Sequence, residues 1–347
     1  MTVTTTVPLV HATGDPLELG RAHGTQRGEA LRAFLADGLC RLDHLLPRPR
    51  SLAELRPTLD AFRREIAAAT PDLAAEIDGL ADGAGVSADA ALLLQVRREI
   101  LGYQRIPTMG DCTTYATAGS RPVLAQTVDL NGDLDDQVCV LKLGRRAGSR
   151  RVLVLSFGGL LGYLGLNSDG LAIGLNLVLG GVWRAGLPPY LAIRQLLDSA
   201  GSVAEAVRIL PGLPLSSSRN LVLCDRETTA YVEILDGVAR VEYAARTTHT
   251  NHFLHPDFAR HDELNVFARN FSVQRLAACR QRLAELPDDA GVEEHFALLS
   301  RPPIRVAGDG DIRRERTVAA VVLRPDRGEL HVRPGDPAGS DTQSFGL

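Results

Sequence analysis

The chain has 347 residues, 45% of them apolar and 23% charged, the ordinary balance of a globular protein able to bury a sizeable core. A formal net charge of -4 and an isoelectric point near 6.2 give no electrostatic footprint for nucleic acid or an anionic membrane as partner. The sequence contains no run of 18 apolar residues, and MTVTTTVPLV at the N-terminus lacks the basic flank of a signal peptide, so a cytoplasmic protein is expected.

Residues 1–10 alternate Thr and Val and read as an edge strand or a frayed end. A turn at 14–16 then opens a helix expected to run through Leu42, with Leu31, Phe34, Leu35 and Leu39 at helical spacing. His23 on it reads as a surface or packing histidine. Ser51 followed by Glu54 forms a capping box for a further helix, Thr70-Pro71-Asp72 starts another, and the break at 83–87 precedes a helix over 88–100.

After residue 110 the pattern changes to short β-branched and apolar runs separated by Gly, Asn and Asp. Strands are expected at 113–118, 122–129, 137–143, 151–157, 162–166 and 171–177. The arginine-rich link 144–151 reads as a solvated hairpin loop. Helices are expected at 188–199 and after Ser202, whose cap is completed by Glu205; strands resume at 220–224, 230–235 and 238–243. A helix over 272–286 and two final strands, 317–323 and 329–332, close the chain. This order lacks the regular alternation of a doubly wound sheet and indicates an α+β protein with antiparallel sheets and helices on their outer faces.

Five cysteines, Cys40, Cys112, Cys139, Cys224 and Cys279, lie far apart without metal-ligand or disulfide-framework spacing. Four sit in apolar or helical patterns and read as small buried hydrophobes. Cys112 differs: it opens a strand directly after a Gly-containing loop, among Asp111, Thr113 and Thr114, and is the candidate nucleophile. A papain-like pairing would draw on His249, His252 or His255, but that class's local signature is absent. The acidic run VDLNGDLDD lacks the Gly at the sixth loop position and the Glu at the twelfth that a calcium loop needs, and reads as a polar turn. No cofactor and no metal is expected.

The ordered set GDPLELGRAHG (14–24), LLLQVRREI (92–100), GDCTT (110–114), LAQTVDL (124–130), GYLGLNSDGLAIGLN (162–176), THTNHF (248–253) and VRPGDP (332–337) resembles the penicillin acyltransferase (isopenicillin N acyltransferase) family over nearly the whole chain. The resemblance implies an N-terminal nucleophile hydrolase fold, a four-layer αββα sandwich preceded by a mostly helical N-terminal segment. It also implies self-cleavage between Asp111 and Cys112. Residues 1–111 would then be a pro-segment kept as the small subunit and 112–347 the catalytic large subunit, the two fragments staying associated as one globular domain. Carried over residue by residue, Cys112 is the nucleophile, Asp129 orients its freed amine and Asn251 donates to the developing oxyanion. Ser218 and Arg314 correspond to supporting polar residues, with Arg313 or Arg316 as register alternatives for the arginine.

A thiol can attack the preceding carbonyl, and the α-amine so released, with an ordinary pKa near 8, suits the role of base. The expected activity is amide hydrolysis or N-acyl transfer through a thioester acyl-enzyme, acting on a small acylated amine or peptide-like metabolite. An acyl thioester such as acyl-CoA can serve as donor and an amine as acceptor. The sequence departs from the family at Asp111, where the family has glycine before its cysteine. That departure keeps open a second reading, an uncleaved, non-catalytic homologue that binds acylated ligands or a protein partner.

Overall fold

Local signals set the helices of the first third. Asp15 caps α1 (Pro16–Ala36) through a reciprocal box with Glu18, Ser51 and Glu54 do the same for α3 (Leu52–Ala69), Pro71 opens α4 (Pro71–Ala84), and Ser87 caps α5 (Ala88–Leu101). The computed structural model of the chain describes residues 6–102, 112–146 and 150–347. Gly110 and Asp111, where cleavage is expected, lie outside the described residues.

The helix expected to reach Leu42 instead ends at Ala36. Gly38, Leu39, Cys40 and Arg41 take positive φ values of 51°, 53°, 52° and 63°, breaking the ladder before the chain turns helical again up to Leu45, in α2 (Gly38–Leu45). Buried Arg97 holds this left-handed stretch by donating to the Cys40 carbonyl at 2.6 Å, and Arg41 forks onto Asp136.

Where α1 crosses α4 the two backbones touch. A Cβ added at Gly20, Gly24, Gly79 or Gly83 would lie 1.9, 2.4, 2.2 or 2.1 Å from a backbone oxygen of the facing helix, so only glycine fits this crossing. The GDPLELGRAHG motif therefore has a packing role. His23 within it is buried, with neither ring nitrogen hydrogen-bonded. Burial, then the charges of Arg27 and Arg194, lower its pKa from 6.5 to about 3.

This makes a signed prediction. Between those two values the unfolded chain binds a proton that the folded chain refuses, so stability falls as pH falls below 6.5, by about 1.4 kcal/mol per pH unit for this group. Followed by denaturant unfolding from neutral pH to about pH 5, wild type should lose stability faster than His23→Leu, with a difference of one proton in slope. Parallel curves would show that His23 does not titrate in this way.

The strands are β1 (Leu9–Gly14), β2 (Thr114–Thr117), β3 (Val123–Leu130), β4 (Val138–Arg145), β5 (Arg151–Phe157), β6 (Leu164–Asn167), β7 (Ala172–Asn176), β8 (Arg219–Cys224), β9 (Thr229–Leu235), β10 (Val238–Ala244), β11 (Arg246–His249), β12 (Arg316–Arg324), β13 (Glu329–Pro334) and β14 (Gln343–Gly346). They form an eight-stranded sheet in the order β1-β4-β5-β6-β7-β8-β9-β10 and a six-stranded sheet in the order β11-β2-β3-β12-β13-β14. All pairs are antiparallel except β1 with β4, which is parallel and corrects the expectation of purely antiparallel sheets.

The sheets pack face to face, β2 and β3 against β7 and β8. Helices α6 (Pro189–Ser199) and α7 (Val203–Ile209) cover the outer face of the large sheet, after a short α8 (Pro256–Ala259) the helices α9 (Val266–Glu285) and α10 (Val292–Leu299) cover the small one, and the four-layer α+β sandwich is complete. α9 starts six residues earlier than expected, at an Asn265 cap, while α10, β11 and β14 were not anticipated. The arginine-rich loop is no bare solvated turn: Arg145 pairs with Asp72 and Asp198, Arg146 with Glu18, and Arg150 with Asp169. No described helix is long and apolar enough to cross a membrane.

Candidate active site

Cys112 stands two residues before β2, which lies between β11 and β3 in the small sheet, and its side chain is buried. Its backbone carbonyl reaches the large sheet, accepting from Asn176 Nδ2 at the end of β7 (2.9 Å) and from Arg275 Nη1 on α9 (3.1 Å). Its Sγ lies 3.8 Å from the Tyr163 hydroxyl, and the Tyr163 ring stacks on Tyr190 with centroids 5.2 Å apart. The residue is thus gripped from both sheets and from the helix layer.

Arg275 connects Cys112 to Asn251. Besides the Cys112 carbonyl, its guanidinium donates to Thr113 Oγ1 (3.0 Å) and to Asn251 Oδ1 (2.5 Å). That contact fixes the carboxamide, so Asn251 Nδ2 points the other way, donating to the Leu177 carbonyl at 3.0 Å. The backbone of Asn251 is held by Ser272 Oγ, one turn before Arg275 on the same helix face.

Asp129, fully buried near the end of β3, accepts from Thr317 Oγ1 at 2.7 Å and weakly from Thr127 Oγ1 at 3.5 Å. Thr127 Oγ1 in turn accepts from the Thr113 amide at 3.1 Å, so Asp129 is tied to the residue after Cys112 through one hydroxyl. Ser218 is buried at the head of β8 and donates to the Val178 carbonyl, and two residues on Asn220 donates to Asn176 Oδ1.

Arg314 is not brought to this cluster: it is exposed and paired with Asp309. Of its register alternatives, Arg313 donates to the His44 carbonyl and Arg316 pairs with Asp133 and Asp135. Arg275 occupies the place a supporting arginine was expected to fill. The sequence signal for it exists: Ala268, Ser272, Arg275, Cys279 and Leu283 recur at helical spacing on one buried stripe, and an arginine on such a stripe needs buried acceptors. Asn176 was equally readable as a polar residue closing an apolar strand.

The histidines of the 249–255 loop make no hydrogen bond to the thiol among the described residues. His249 has Nε2 on Glu233 (2.9 Å) and Nδ1 on the Thr250 carbonyl (2.7 Å); His252 Nδ1 meets Ser272 Oγ, and burial lowers its pKa to about 4. The other four cysteines are buried and their thiols are pushed up by burial, Cys40 and Cys279 to about 12. Among the described residues no cluster of three metal-capable side chains occurs.

Residues 116–338, more than half of the chain, match the family described as acyl-coenzyme A:6-aminopenicillanic acid acyl-transferase. The 40 kDa form of acyl-coenzyme A:6-aminopenicillanic-acid-acyltransferase from Emericella nidulans is 27% identical over 274 residues, covering 76% of this chain and 75% of that protein. Similar solved structures include penicillin V acylase from Agrobacterium tumefaciens, 16% identical over 64% of this chain and 83% of that one with a TM-score of 0.48. A mutant conjugated bile acid hydrolase from Clostridium perfringens is 11% identical over 68% and 97%, with a TM-score of 0.45. The match over residues 116–338 places the chain in the acyl-coenzyme A:6-aminopenicillanic acid acyl-transferase family.

Proposed function

We propose that this chain is a self-processing cysteine acyl-transfer enzyme in which Cys112, freed as an N-terminal residue, carries the acyl group. The observation that supports it most is the convergence of Asn176, Arg275 and, through Arg275, Asn251 on Cys112.

In processing, the Cys112 thiol attacks the Asp111 carbonyl carbon, a C–S bond forms as the C–N bond breaks, and water releases the thioester, leaving a carboxyl on Asp111 and an amine on Cys112. That amine takes the thiol proton when the sulfur attacks a substrate carbonyl, and returns it to the departing amine or thiol. Asp129, linked to Thr113 through Thr127, stabilises the protonated amine. Asn251, whose carboxamide is oriented by Arg275 at Oδ1 and by the Leu177 carbonyl at Nδ2, donates from Nδ2 to the oxyanion, a contribution of about 3 kcal/mol. An acyl amide or acyl thioester supplies the acyl group; water completes hydrolysis and an amine completes transfer.

Intact-mass analysis of the purified protein tests this reading. The expected result is two species whose masses meet at the bond between Asp111 and Cys112, with the new N-terminus reactive towards thiol and amine reagents. A single chain, unchanged on long incubation yet fully active, would overturn it.

A further inference from the structure

Residues 250–255, which carry Asn251 onward from β11, belong to no strand or helix, and side chains of other elements hold their amides. The Asn251 amide donates to Ser272 Oγ at 2.9 Å and the Phe253 amide to Asp262 Oδ2 at 3.2 Å. The Leu254 and His255 amides donate to the two oxygens of Glu233, at 2.5 and 3.0 Å.

Glu233 lies on β9, and its Oε1 also faces His249 Nε2 at 2.9 Å; both side chains are fully buried. Glu233 is in register with Asn220 on β8, and Asn220 with Asn176 on β7, so the three side chains form one row on one face of the large sheet. Asn220 donates to Asn176 Oδ1 at 3.1 Å, and Asn176 Nδ2 reaches the Cys112 carbonyl at 2.9 Å and the His249 carbonyl at 3.4 Å. The row thus grips the chain before Asn251 through the ring and carbonyl of His249, and after it through the amides of Leu254 and His255.

Hydrogens can be counted at His249. Nδ1 lies 2.7 Å from the Thr250 carbonyl, which can only accept, so Nδ1 carries a hydrogen. Nε2 meets a carboxyl group that already takes two backbone N–H donors, bonds that favour its ionised form. An ionised carboxylate only accepts, so Nε2 carries a hydrogen as well. The two opposite charges offset one another, which spares the interior an isolated carboxylate. Tyr231, His252 and Asp262 feel the charges of the pair, and between them also those of Arg269, Arg275 and Arg280 on α9 and Glu242 on β10.

We propose that His249 is an imidazolium paired with the Glu233 carboxylate, and that the pair positions Asn251 by holding both ends of the segment that carries it. That this positioning serves catalysis rests on the reading of Cys112 as nucleophile; the charged state of His249 does not.

Nitrogen NMR of full-length Cys112→Ala protein, isotope-labelled in its histidine rings, tests the pair at about pH 8.5, where an ordinary imidazole is neutral. Of the nine histidines, one should carry hydrogens on both ring nitrogens. Its signal should vanish in His249→Gln and become that of a neutral ring in Glu233→Gln. No imidazolium at that pH, or one that survives His249→Gln, would overturn the proposal, and the spectrum of the parent chain stands even if neither variant folds.

The positioning role is read in protein that keeps Cys112, with the acyl thioester S-octanoyl-N-acetylcysteamine as probe. Glu233→Gln should lower kcat about tenfold at unchanged KM, and should lower it no further once Asn251 is replaced by Ala. A wild-type kcat, or an equal loss on the Asn251→Ala background such as general loosening would give, would remove Glu233 from the positioning of Asn251. Failure of the Cys112 reading would appear separately, as an uncut chain without thioester turnover, with the nitrogen spectra still reporting on the pair.

Discussion

Cys112→Ala is expected to be recovered as one uncut chain of 37.3 kDa with no acyl turnover, because in the proposed mechanism both the processing attack and the acyl-enzyme require its sulfur. Around that zero the supporting residues should fall in a graded series. Asn251→Ala should lower kcat by about 10²- to 10³-fold with little change in KM, since an oxyanion donor acts mainly in the transition state. Arg275→Lys should lose less, about tenfold, because an ammonium can satisfy one of the acceptors on Cys112, Thr113 and Asn251 but cannot fork across all three. Steady-state kinetics with intact-mass analysis of each variant checks the order. An Asn251→Ala protein that processes normally and keeps wild-type kcat would remove Asn251 from the mechanism.

The largest stability effect is expected at Arg194. Its guanidinium is fully buried, bidentate to Glu76 at 2.9 Å on both oxygens, and bonded through Nε to Asp198. Arg194→Met keeps the volume but strands a buried carboxylate, a loss of about 3–5 kcal/mol. Burial then pushes Glu76 up, the direction burial already sets. An acid whose folded pKa is raised holds a proton that the unfolded chain releases, so its stability is present at low pH and is lost as pH rises above about 4.3. The gap between wild type and Arg194→Met should therefore be narrower near pH 5 than near pH 8 in urea denaturation. Glu76→Leu placed on Arg194→Met should recover part of the loss, because it removes the uncompensated charge.

What the sequence disclosed follows the range of the forces involved. Helix starts such as Ser51 with Glu54 and Ser202 with Glu205 are set by neighbours three residues apart, and they stood where expected. The short apolar, β-branched runs that mark β5 and β9 are equally local. The break at 38–41 was not legible, since a left-handed run of Leu, Cys and Arg persists only through Arg97 and Arg41 reaching distant carbonyls and carboxylates. Cys112, Asp129 and Asn251 stood out through a family resemblance, but their connection runs through Arg275 and Thr127, whose roles exist only once α9 lies over β2 and β3 pairs with it. Arg314 illustrates the converse: neither it nor Arg313 or Arg316 reaches the Cys112 cluster, and the arginine that does lies on a different element, α9, which register within the loop cannot indicate.

The parallel edge strand β1 has a consequence for how such a molecule can be assembled. It precedes the proposed cut, yet it pairs with β4 after the cut, from Leu9 against Val140 to Gly14 against Arg145, while Glu76 and Arg194 also lie on opposite sides. Before cleavage, refolding is a unimolecular event; after it, the same native contacts must be regained by two separate polypeptides. Refolding yield of the processed protein should therefore depend on concentration, while that of the Cys112→Ala chain should not. Processing would turn a reversible fold into one that the cell can build only once.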